Sequence, residues 1–147
     1  MVDSYVMNST KNRILQAART VLIHQGSGGF SMRKVAAEAA IALGNVQYHY
    51  KTKTDLLNGL LSWYLETYRN ALLQTMGEAA PGEEGLRSFI QIVLSKEEDS
   101  DEIKLLLAIV SCAEEETLVN QLNVFYGDFY ALLADFLGRI AVKPVES

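Results

Sequence analysis

Residues Ser31 to Leu57 read SMRKVAAEAAIALGNVQYHYKTKTDLL. Their spacing predicts two short helices joined by a tight turn, with a longer helix starting directly after. Val35, Ala36, Ala39, Ile41, Val46 and Tyr50 fall where such helices turn inward. Arg33, Lys34, Asn45, Gln47, Tyr48, His49 and Lys53 fall between them, on the outward side. That outward set is poor in acid and rich in groups that hydrogen-bond to phosphates or to base edges. A helix-turn-helix that lays its second helix in the major groove of DNA needs this pattern.

The distribution of charge says more than its total. The whole chain carries a formal −5, which alone argues against a nucleic-acid partner. Residues 1–53, however, hold seven Lys/Arg against two Asp/Glu, net +5, while residues 54–147 hold six against sixteen, net −10. A basic block followed by an acidic one implies two functional surfaces, of which the first can neutralise phosphates. The basic block coincides with the motif.

Composition bounds the remainder. A chain of 147 residues is long enough for one sizeable core, or for a small module joined to a larger helical one. Ala and Leu dominate and proline is confined to Pro81 and Pro144, which favours an all-helical fold. The lone cysteine, Cys112, excludes an intramolecular disulfide and fits a reducing, cytoplasmic compartment. The N-terminal MVDSYVMNSTKN lacks the basic-then-apolar order of a signal peptide. The most apolar run, Ile103 to Val110, is too short to span a bilayer and contains Lys104, so no membrane partner is expected.

Along the chain, helix one starts near Asn8, Ser9 or Thr10, each a capable N-cap, and ends at the Gln25–Gly29 cluster. Ser31 caps helix two, over roughly 32–39, and helix three occupies roughly 43–49. Thr52 is placed to cap helix four, with Asp55 three residues on as its capping-box partner. Helix four runs over about 53–76, a loop over about 76–85, and helices five, six and seven over about 85–95, 101–114 and 116–139. No internal repeat and no strand stands out.

Taken together, Ser31-x-Arg33-x-Val35-Ala36, the segment Gly44-Asn45-Val46-Gln47-Tyr48-His49-Tyr50-x-x-Lys53 and the Leu56-Leu57 that opens helix four resemble the N-terminal domain of the TetR/AcrR family of one-component bacterial transcriptional regulators. The resemblance covers about the first 57 residues; beyond them it is one of kind only. It implies a DNA-binding domain over 1–53 and a helical ligand-binding and dimerisation domain over 54–147, with helix four connecting the two. It further implies contacts to a double-stranded operator from Ser31, Arg33, Lys34, Leu43, Gly44, Asn45, Gln47, Tyr48, His49 and Lys53. Arg33 would reach a base edge or the backbone from helix two, and Asn45 or Gln47 would read adenine with paired hydrogen bonds. Tyr48 and His49 would meet phosphates or a thymine methyl, and Lys53 a phosphate at the start of helix four.

Two positions depart from the family, which usually has Gly where this chain has Ala40 and a Ser/Thr cap where it has Ala42. The missing cap predicts a shorter or frayed helix three without DNA. Family members also usually carry two further helices that build a four-helix dimer interface, whereas this sequence stops at Ser147. It is therefore either a fragment or a chain that pairs through another surface.

For the C-terminal half the resemblance implies a small-molecule effector and a homodimer. Trp63, Tyr64, Tyr68, Phe89, Ile109, Cys112, Phe125 and Phe129 would line the interior between helices four to seven, as plain core or as a pocket. Leu118, Leu122, Phe125, Phe129 and Phe136 recur at the spacing of an interface stripe. No catalytic residues suggest themselves: Gly26-Ser27-Gly28-Gly29 lacks the Lys-Ser/Thr of a phosphate loop, and Cys112 sits in an apolar helix. His24 and His49 have no neighbouring Cys or acidic cluster, so neither metal nor cofactor is expected. The expected function is a ligand-responsive DNA-binding regulator, most simply a repressor released from a palindromic operator by an apolar effector. A helical protein–protein module and a ligand-independent DNA-binding adaptor are the alternatives.

Overall fold

The structure is a computed structural model, and it describes residues 9–78, 82–95, 100–112 and 115–140. The described residues form seven helices and no strand: α1 (Thr10–Gly29), α2 (Met32–Glu38), α3 (Leu43–His49), α4 (Lys53–Glu78), α5 (Glu83–Ser95), α6 (Ser100–Cys112) and α7 (Glu115–Ile140). The expected loop after α4 has its centre, residues 79–81, outside the described residues. Among the described residues no helix is long and apolar enough to cross a membrane.

Packing divides the chain into two compact units, and the division does not fall at residue 53. One unit takes the described residues of Met1–Tyr64 and Ser100–Leu118; the other takes those of Leu65–Asp99 and Val119–Ser147. The long helices α4 and α7 are therefore each shared between units.

In the first unit, Ser9 caps α1 by accepting from the Asn12 amide at 3.2 Å. Ile14, Leu15, Ala17, Ala18, Val21 and Leu22 form the buried face of this helix. Gly26, at φ 66°, kinks it where the glycine cluster was expected to end it, and a last turn runs on to Gly29. α2 packs on α1, α3 on α2, and α6 also lies against α1. Val35 and Val46, fully buried, carry the apolar sides of α2 and α3, and Leu105 and Ile109 that of α6. Leu56, Leu57, Leu60 and Leu61 are buried on the first half of α4.

The second unit is built on the rest of α4, α5 and most of α7. Leu72, Met76 and Phe136 are its buried centre, with Tyr68, Leu86, Phe129, Leu132 and Leu133 packed around them. Arg69 reaches Asp128 at 3.1 Å, tying α4 to α7 through an exposed ion pair that contributes little to stability. The rings of Tyr68 and Phe125 lie 5.9 Å apart, and Phe125 stacks on Phe129 at 6.3 Å. Burial, and secondarily the nearby Tyr126, raise the pKa of Tyr68.

Candidate DNA interface

The candidate face is built by three local devices. Ser31 stands at the N-cap of α2 with its hydroxyl accepting from the Lys34 amide at 3.3 Å, which fixes where Arg33 and Lys34 emerge. The turn that follows is a Schellman cap: the Ile41 amide donates to the Ala36 carbonyl at 3.0 Å and the Ala40 amide to Ala37 at 3.1 Å. This geometry puts Ala40 at φ 53°, the left-handed region where glycine is favoured. Then Thr52 and Asp55 form the reciprocal capping box, each backbone amide donating to the other's side chain at 3.0 Å.

Ala42 caps α3 without a side-chain hydrogen bond, as its residue type requires. The helix nonetheless spans Leu43–His49 in full, so the expected shortening does not occur. Packing replaces the missing cap: Val46 is fully buried in the middle of the helix and Tyr50 closes its C-terminal end. A short helix of weak propensity is held by tertiary contacts more than by its own hydrogen bonds.

With Val46 and Tyr50 inside, the other side chains of α3 turn outward. Asn45, Gln47, Tyr48 and His49 are all exposed, Tyr48 to 84%, and the Tyr48 and His49 rings meet edge to face at 5.2 Å. Leu43 is half-buried at the start of the helix. Gly44 is exposed, and a Cβ there would meet nothing within 4 Å, so the backbone at this turn is open to a large partner. Arg33 and Lys34 are exposed on α2. Lys53 is exposed at the first position of α4, its ammonium 5.7 Å from the centre of the buried Phe30 ring, which confines a flexible cation to one side of the motif. All ten candidate residues thus lie on α2 and its N-cap, α3 and the α4 N-terminus.

Two further cations, which the sequence pattern does not single out, lie at the ends of α2 and α3. Arg13 donates from its guanidinium to the Ala39 carbonyl at 2.8 Å, and the Lys11 ammonium lies 6.0 Å from the centre of the Tyr50 ring. Both sit in the first turns of α1, where a cation opposes the helix dipole and no acid accompanies it. That misplacement was the available signal.

The C-terminal candidates separate. Trp63, Tyr64 and Cys112 are half-buried and Ile109 fully buried in the first unit. Tyr68, Phe125 and Phe129 belong to the second, where they form one aromatic cluster. Phe89 lies on α5 in the second unit, its side chain outside the described residues. Of the expected interface stripe, Leu118, Leu122, Phe125 and Phe129 are half-buried. Phe136 must be corrected: it is 1% exposed, packed with Leu72 and Met76, because a phenyl ring gains more from its own core than from a solvated face. The exposed apolar residues of α7 are instead Val119, Val124, Tyr126, Tyr130 and Leu137.

Comparison with known proteins meets the same motif. Residues 14–60 match the model of the bacterial regulatory proteins, tetR family. Over 142 residues the chain is 30% identical to an uncharacterized HTH-type transcriptional regulator in the dhlA 5' region of Xanthobacter autotrophicus, covering 91% of this chain and 68% of that protein. Among solved structures, a transcriptional regulator from Pseudomonas aeruginosa PAO1 superposes with a TM-score of 0.73 at 25% identity, over 89% of this chain and 64% of that one. The multidrug binding protein EbrR complexed with ethidium matches with a TM-score of 0.63 at 27% identity, over 88% of this chain and 76% of that one. Motif, helix order and relatives agree, and the chain belongs to the TetR family of bacterial transcriptional regulators.

Proposed function

We propose that this chain is a cytoplasmic repressor that pairs as a homodimer on a palindromic operator and is released by a small apolar effector. Residues 1–53 read the DNA and residues 54–147 sense the effector, with α4 running between the two. The observation that carries the reading is α3 itself: Val46 and Tyr50 anchor it while Asn45, Gln47, Tyr48 and His49 face out beside Arg33, Lys34 and Lys53. In the major groove, Asn or Gln pairs bidentately with adenine and Arg with guanine, while Lys53 neutralises a phosphate.

One such helix covers a half-site, and two copies on a two-fold site bring their reading helices about 34–36 Å apart. The apolar character of the effector is supported by the Tyr68–Phe125–Phe129 cluster, and its flat aromatic shape by ethidium, an aromatic cation, in EbrR. Release requires that the effector bind the DNA-free form more tightly, and by linkage the operator must weaken the effector by the same factor. Footprinting on a duplex selected by the protein from a random pool should show two symmetric half-sites. Hydrophobic compounds that raise the melting temperature should lose affinity when that duplex is present. A single half-site, or equal affinity with and without DNA, refutes the corresponding part.

A further inference from the structure

The turn before α3 closes its Schellman hydrogen bonds but lacks the two residue types that favour such a turn. Its left-handed position is occupied by Ala40 and not by glycine, and the N-cap of α3 is Ala42, whose side chain forms no hydrogen bond. A left-handed alanine and an absent cap both disfavour the turn, so local preference alone would leave the α2–α3 angle loosely defined. The angle matters because a helix set in the major groove reads base edges only from one orientation.

The Ala39 carbonyl is an orphan acceptor at the end of α2, since the cap bonds of the turn use the Ala36 and Ala37 carbonyls. Arg13, 26 residues earlier in the chain, meets the orphan with a guanidinium N–H at 2.8 Å, and the bond is partly buried. A charged donor on a neutral acceptor makes a strong hydrogen bond, and a positive charge suits the C-terminal end of a helix. Two residues back on the same helix, the Lys11 ammonium stands over the ring of Tyr50, at the opposite end of α3. The start of α1 therefore meets the turn that precedes α3 and the residue that closes it.

We propose that Arg13 is a positioning residue for α3. Its guanidinium, anchored on the Ala39 carbonyl, holds the Ala39–Ala42 turn in the place of the glycine and the side-chain cap that the turn lacks. It thereby sets the angle at which Asn45 and Gln47 are presented, without itself touching DNA.

The test compares wild type with Arg13→Ala and Arg13→Lys in the full chain. In the DNA-free protein, Arg13→Ala should speed hydrogen exchange of the Ile41 and α3 amides by about tenfold relative to those of α1, the effect of losing a hydrogen bond from a charged donor. On a duplex selected by the wild type from a random pool, affinity should fall by about tenfold, and by much less on a scrambled duplex, with the salt dependence unchanged. Arg13→Lys keeps the charge and loses the planar fork, so it should show the same pattern at smaller amplitude and covers the case in which the alanine variant does not fold. A salt slope shallower by about one unit, with α3 exchange unchanged, would make Arg13 a phosphate ligand and overturn the proposal. So would a lower melting temperature with the ratio between the two duplexes preserved, because that is a purely structural role. The exchange measurement needs no DNA and separates failure of this proposal from failure of the operator reading.

Discussion

α3 and α7 are both helices with apolar and polar residues interleaved, yet only the first could be oriented from its sequence. α3 has seven residues and one fully buried anchor, Val46, so placing it inside turns Asn45, Gln47, Tyr48 and His49 outward. α7 has 26 residues and apolar side chains on two of its faces. One stripe carries Leu118, Leu122, Phe125, Phe129 and Phe136, and the other Val119, Tyr126, Tyr130 and Leu137. Burial is worth roughly 25 cal/mol per Å2 for either stripe, so nothing local ranks them. The neighbours Leu72, Met76 and Tyr68 decide, and the first stripe goes inside.

The sharpest way to break this comparison is to truncate one residue from each stripe. Phe136→Ala should cost about 3–5 kcal/mol, and Tyr130→Ala, at a residue 64% exposed, less than about 0.5 kcal/mol, in denaturant unfolding of the full chain. Equal losses would mean that the second stripe is also covered.

The next prediction tests the anchor of α3. A Cβ on Gly59 would sit 2.5 Å from Cε1 of the buried Tyr50 ring, so Gly59→Ala must push the ring off its seat. Thermal unfolding should report a loss of about 1–3 kcal/mol, and DNA binding should weaken because the C-terminal end of α3 moves with Tyr50. An unchanged melting temperature would show that the ring has room to swing aside.

The outward face of α3 is sharpened by two substitutions with different signatures. Gln47→Ala should cost about 1–3 kcal/mol at one or two base pairs and relax specificity there. Lys53→Ala should weaken all duplexes alike and shallow the salt slope by about one unit. Competition binding across single-base variants separates them; if both variants behave as wild type, α3 is not the reader.

The smallest expected effect concerns the Tyr50 hydroxyl, which is buried with no hydrogen-bond partner among the described residues. Tyr50→Phe deletes only that group and should leave stability at neutral pH unchanged or raised by up to about 1 kcal/mol. Burial raises the pKa of Tyr50, so the native state holds the proton more tightly than the unfolded chain does. Its contribution is complete below the unfolded value of about 10 and is lost as pH climbs from there through the native value. Wild type should therefore lose stability faster than Tyr50→Phe in melts above about pH 10. Parallel curves would place the hydroxyl in contact with water.

Much of the N-terminal region was legible because its signals are local. Ser9 and Ser31 cap the helices they precede, and Thr52 and Asp55 close their box at the expected spacing. Bonds three residues apart can be read along a chain. Arg13 was passed over because its partner is Ala39, and the packing of α6 against α1 was missed because its halves lie some seventy residues or more apart in a chain with no pairing code for helices.

The amino-acid sequence by itself determined that this chain is helical, where its helices start and stop, and which side chains of α2 and α3 stand away from the core. Each of these follows from period, caps and charge, whose physical range is one turn of helix. Tertiary structure alone decided that α6 joins the N-terminal helices, that Phe136 lies inside, and that an arginine from α1 closes the turn before α3. These outcomes depend on which apolar surfaces meet, and several arrangements of the same amphipathic helices share one sequence pattern until close packing separates them.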